Sequence, residues 1–125
     1  VQYGNLVFVS GQISQGPDGL IKGRLGDNMD VAAGTEAARR CGLSLLAQIR
    51  AASGGDLDRV VRVIKLTGFV NSTAEFTDQP KVINGCSDLM VEVFGDAGRH
   101  ARAAVSSPAL PLGVAVEIEA IFQVE

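Results

Sequence analysis

The chain has no tryptophan, one tyrosine, one histidine and two cysteines, and aromatic residues make up only 5% of its 125 positions. With so few rings there is little to stack nucleobases on. A net charge of -3, with no run of like charges longer than two, supplies no basic stripe for phosphates. Both deficits argue against a nucleic-acid partner. A single histidine, with no Cys-x-x-Cys or His-x-x-x-His, argues against a metal site built by the protein. The fifteen glycines crowd partly into Gly11–Gly26 but form neither a P-loop nor a Gly-x-Gly-x-x-Gly turn, so no nucleotide cofactor is expected. No apolar stretch approaches the ~18 residues of a membrane span. Cys41 and Cys86 fit a reducing compartment better than a disulfide framework. No signal peptide is visible, so a cytoplasmic location is expected, although Val1 is not an initiator methionine.

What is present is one domain's worth of alternating and helical pattern, residues 1–125, with no linker, repeat or composition shift. Asn5–Ser10 reads as a strand closed by Gly11. Gln15-Gly16-Pro17-Asp18-Gly19 is turn chemistry, leading into a short strand at Leu20-Ile21 that pairs back as a hairpin. Lys22–Met29 reads as irregular. Asp30 is a suitable N-cap, and Ala38, Cys41, Leu45, Leu46 and Ile49 recur at helical spacing. These predict a helix over Val31–Ala52, ended by Gly54-Gly55.

Leu57–Val70 reads as the central strand, with apolar residues on both of its faces, so something other than its own helices must cover it. Asn71-Ser72-Thr73 has the form of a glycosylation sequon. A second helix runs from Pro80 or Lys81 to Phe94, with Val82, Leu89, Met90, Val93 and Phe94 as its buried stripe. Ala101–Ser106 and Val114–Val124 read as strands joined through Pro108 and Pro111. The order β-β-α-β-α-β-β predicts an α+β domain, a mixed β-sheet with two helices packed on one face.

Candidate chemistry gathers in the C-terminal third, where Arg102 opens a small, apolar run and Glu117 and Glu119 share one face of an alternating strand. An arginine fork suits a carboxylate taken bidentately. His100, beside Arg102, is either an acid/base group or a residue that shapes the pocket. Cys41 is expected on a packed helix face, and Cys86 either there or on a cleft wall.

Three segments resemble one family. Gly4–Ile13 is similar to the N-terminal signature of RidA (YjgF, endoribonuclease L-PSP) proteins, and Val63-Ile64-Lys65 with Phe69-Val70 to their central strand. Ala101–Val105, Leu110-Pro111 and Val116–Ala120 resemble their C-terminal signature with the same spacing. Gln79–Leu89 and Gly98–Arg102 resemble a divergent YjgF-like branch.

The resemblance implies a chorismate-mutase-like fold, a homotrimer with a barrel-like core, and clefts between subunits. It implies hydrolysis of reactive enamines and imines of amino-acid metabolism to keto acid and ammonia, without a cofactor. A non-catalytic trimer binding small keto or amino acids is the alternative, and an endoribonuclease or translation inhibitor the third. Arg102 falls on the arginine that pairs with the substrate carboxylate, and Glu117 on the position proposed to hold the attacking water. Ser10 and Gly11 fall on cleft residues, and Asn84 more loosely on a cleft asparagine. Ala104 stands where the family carries a cysteine, and Tyr3 stands too near the first strand to match the family's upstream tyrosine.

Overall fold

The computed structural model describes residues 1–125. Its elements are β1 (Gln2–Tyr3), β2 (Leu6–Ile13), β3 (Gln15–Gly16), β4 (Gly19–Leu20), α1 (Val31–Ala52), β5 (Val60–Asn71), α2 (Gln79–Phe94), β6 (Ala101–Ser107) and β7 (Val116–Val124). One five-stranded sheet has the order β1-β2-β7-β5-β6, and β3 and β4 form a separate hairpin. All neighbours in the large sheet run antiparallel except β5 and β6, which are parallel. A parallel pair needs a crossover, and α2 is that crossover. The α+β class, the mixed sheet and the pair of helices on one face are therefore as the sequence predicts.

The helix α1 begins and ends where the sequence says. Asp30 Oδ1 accepts a hydrogen bond from the Ala33 amide at 2.8 Å, and Gly54 and Gly55 turn the chain out at φ of +66° and +90°. Its buried stripe, Ala37, Ala38, Cys41, Leu45, Leu46 and Ile49, lies on the sheet and on α2. The two helices pack through glycine. A Cβ on Gly42 would come within 2.8 Å of Leu89 Cδ2, and one on Gly85 would overlap the Thr35 carbonyl.

On β7, Val116, Ile118, Ala120, Phe122 and Val124 are buried, whereas Glu117, Glu119, Ile121 and Gln123 are not. Alternation puts the first set under the helices and the second on the uncovered face. Val63, Leu66, Gly68 and Val70 of β5 join the first set. Phe8, 42% exposed, Lys65, Thr67 and Phe69 lie with the second. That face carries partly exposed apolar side chains among charged ones.

Several expected boundaries move. The first strand does not stop at Gly11 but continues to Ile13, because a bulge between Val9 and Gln12 lets β2 pair with β7 on both sides of it. Leu57–Arg59 is a turn of 3-10 helix rather than strand, since Asp56 caps it by accepting from the Asp58 amide. The irregular Lys22–Met29 segment is pinned by Leu25, which is fully buried and bonded to Asn71 and Thr73 through its backbone. Asn71 is 8% exposed, and its Nδ2 donates to the Val114 carbonyl, so the sequon is closed to modification. No helix is long and apolar enough to cross a membrane.

Candidate functional site

Arg102 lies on β6, the edge strand, opposite Leu66 of β5. Leu66 faces the helices, and so does Arg102, whose guanidinium meets α2. Its Nη1 donates to Asn84 Oδ1 at 2.7 Å and to Ser87 Oγ at 3.2 Å. Asn84 and Ser87 are three residues apart on α2 and therefore on one stripe of its surface. No acidic group pairs with Arg102; the four ion pairs of the chain join other residues. Two neutral acceptors thus fix the group while leaving its charge uncompensated and its Nε and Nη2 hydrogens without partners.

Beside it opens a cleft of about 270 Å³ lined by Ser87, Asp88, Val91, Arg99, His100 and Arg102. His100 Nε2 lies 2.9 Å from Ser87 Oγ, and its Nδ1 bonds to the Gly98 carbonyl. Burial holds the His100 pKa below the usual histidine value; the Arg102 charge adds to that, and the bond to Gly98 opposes it. His100 is therefore neutral near pH 7.

Glu117 sits elsewhere. It pairs in register with Phe69 on one side and Ile13 on the other, on the sheet face away from the helices. Gly11 lies over its carboxylate, where any side chain on residue 11 would overlap Glu117 Oε2. Ser10 and Gly11 are the residues of the β2 bulge, both exposed. Glu119, the other carboxylate of the strand, is exposed beside Lys65 and Thr67.

The structure thus makes two clusters of the sequence-derived candidates. Arg102 and Asn84 form one, and Glu117 and Gly11 the other; Ser10, next to Gly11 in the bulge, borders a separate hollow with Gln48 and Ala52 of α1. Two strand spacings and three residues along the sheet put the Arg102 and Glu117 Cα atoms about 14 Å apart, on opposite faces.

Neither cysteine belongs to either cluster. Cys41 is buried in α1, with Sγ 3.5 Å from the Val116 carbonyl. Cys86 is buried at the Gly42 contact, so its place is helix packing rather than a cleft wall. Burial pushes the Cys86 thiol up to about 12, against the opposing pull of Arg102, and raises Cys41 as well. Ala104 is half-buried, packed on the core, and offers no thiol to the site. No group of three or more His, Cys, Asp or Glu side chains comes together.

The residue that sequence reasoning passed over is Ser87. In the sequence it is one polar residue on a helix surface; only its spacing from Asn84 hints at a shared partner.

Fold, edge-strand arginine and bulge over a sheet-face glutamate together define an α+β domain with a cleft beside an unpaired arginine, and comparison with known proteins gives the class a family. Residues 2–122 match the family described as "YjgF/chorismate mutase-like, putative endoribonuclease", and the chain belongs to this YjgF/RidA family. It is 48% identical over 122 residues to protein TCP17 of Trypanosoma cruzi, covering 96% of this chain and 76% of that one. The crystal structure of Atu1372 from Agrobacterium tumefaciens, a protein of unknown function, matches with a TM-score of 0.97 at 46% identity, over 100% of this chain and 81% of that one. RidA from an Antarctic Psychrobacter matches with a TM-score of 0.63 at 28% identity, over 99% and 85%.

Proposed function

We propose that the protein hydrolyses small imines bearing a carboxylate, and enamines through their imine tautomers, to keto acid and ammonia, in clefts formed between copies of the chain. The carrying observation is the state of Arg102: fixed by Asn84 and Ser87, unpaired with any acid, and exposed beside a cleft. A guanidinium held this way is preorganised for a carboxylate, and its Nε–Nη2 edge matches one bidentately. The similarity to a RidA protein supports the choice of substrate class.

Glu117 is the base in this reading. It takes a proton from water, the hydroxide equivalent adds to the C=N carbon, and the nitrogen takes up a proton to give a carbinolamine. Collapse of that intermediate forms the C=O bond and expels ammonia, with Glu117 shuttling the proton. The bulge backbone at Gly11, with the neighbouring Ser10 hydroxyl, steadies the charge that develops. Arg102 and Glu117 lie on opposite faces of one sheet, so a single chain does not complete the site. A homotrimer, with the Arg102 edge of one copy against the Glu117 face of the next, completes it and covers the apolar side chains of the open face.

A second reading keeps the cleft without turnover, as a trimer that binds small keto or amino acids. What favours it is Ala104, which stands where the family carries a cysteine. The family description names an endoribonuclease, but the net charge of -3 and the scarcity of aromatics favour a small anion over RNA.

The test is ammonia release from an imine made in situ by an amino-acid oxidase. Acceleration over buffer that is lost in Arg102→Ala supports hydrolysis. Thermal stabilisation by pyruvate without turnover selects the binding reading. An Arg102→Ala variant as active as wild type overturns both.

A further inference from the structure

Gly98, His100, Ser87 and Arg102 form one line of hydrogen bonds whose direction is fixed from its far end. The Gly98 carbonyl can only accept, so the His100 Nδ1 that faces it carries a proton. A neutral imidazole then has a bare Nε2, and Ser87 Oγ, 2.9 Å away, donates to it. That uses the hydroxyl's only proton and leaves its lone pairs for Arg102 Nη1 at 3.2 Å. A serine hydroxyl on a helix otherwise turns back to a carbonyl of the preceding turn.

We propose that Ser87 and His100 are positioning residues for Arg102: His100 orients the Ser87 hydroxyl, and Ser87 with Asn84 holds Nη1 so that the Nε–Nη2 edge is presented to a carboxylate. This rests on the proposed function in one respect, that Arg102 receives a carboxylate. The charged groups around the pair are Arg102 on β6, Asp88 on α2 and Arg99 next in sequence, all lining the same cleft. Arg62 of β5 donates to the Arg99 carbonyl at 2.9 Å and ties down the segment that carries His100.

The chain has one histidine, so nitrogen-15 NMR of the whole protein reads a single imidazole. The expected spectrum at pH 7.5 is the neutral Nδ1–H tautomer; an Nε2–H tautomer overturns the proposal. Pyruvate titration of wild type, Ser87→Ala, His100→Leu and His100→Gln is the second arm. Ser87→Ala and His100→Leu are expected to weaken binding about fivefold, the scale of one hydrogen bond. His100→Gln, whose amide oxygen can accept from Ser87, stays within about twofold of wild type. Equal affinity in all four, or equal loss in Leu and Gln, overturns the proposal. The two readings separate at the tautomer. A wild type that binds no pyruvate while the Nδ1–H tautomer is seen sinks the proposed function and leaves the orienting of Ser87 by His100 standing. The Nε2–H tautomer removes the hold itself.

Discussion

Gly11 lies directly over the Glu117 carboxylate, so close that a methyl group on residue 11 would overlap Oε2. Gly11 has no left-handed φ to protect, so glycine is required here by space. Gly11→Ala is therefore expected to leave the melting temperature nearly unchanged while pushing Glu117 aside. Ammonia release should fall at least about tenfold, since a displacement of an ångström is enough to misplace a base. Unchanged activity in Gly11→Ala would remove Glu117 from the chemistry.

Asn84 makes the shorter of the two bonds that hold Arg102, 2.7 Å, and it is exposed on α2. Asn84→Ala should fold normally and raise the KM for a carboxylate substrate about tenfold, the scale of a hydrogen bond to a charged group. Asn84→Asp should also weaken substrate, because an ionised partner neutralises the guanidinium. Steady-state kinetics on the two variants checks both.

Close helix packing makes a separate stability prediction. Gly85→Ala places a methyl against the Thr35 carbonyl, which is backbone and cannot swing away. It should cost about 2–3 kcal/mol in chemical denaturation. Gly42→Ala meets the end of Leu89, a side chain that can rotate, and should cost nearer 1 kcal/mol.

Cys86 titrates near 12 in the folded chain against 9.0 when exposed. The raised value means that the native state favours the protonated thiol. Its contribution to stability is full below pH 9 and drains away as pH climbs from 9 to 12. Cys86→Ala should make the alkaline fall in stability shallower over that window, with buried Cys41 keeping the rest. At pH 8 the native protein should be inert to thiol reagents on both cysteines and react at both once unfolded.

The fold was legible where local rules and packing agree. Asp30 and Gly54-Gly55 bracket α1 to the residue, because a capping side chain and two left-handed positions are themselves the boundary. Leu57–Arg59 was read as strand because its apolar residue hides the cap that Asp56 makes. Candidate site residues could be named from the sequence, but their arrangement could not. Arg102 and Glu117 stand fifteen positions apart, and no spacing rule says that β5 lies between their strands, parallel to one and antiparallel to the other. Ser87 was invisible because its partners, Arg102 of β6 and His100 just before that strand, reach it only in the fold.

The opposition of Arg102 and Glu117 across the sheet gives the central claim its most direct measurement. Arg102→Ala and Glu117→Ala proteins, each expected to be inactive in ammonia release, are unfolded together, refolded as mixed assemblies and assayed. In a trimer whose clefts take arginine from one copy and glutamate from the next, about a quarter of randomly mixed clefts carry both native residues. The mixture should recover about that fraction of wild-type activity. Activity no greater than that of the two parents, from assemblies shown to have mixed, would contradict a cleft shared between subunits.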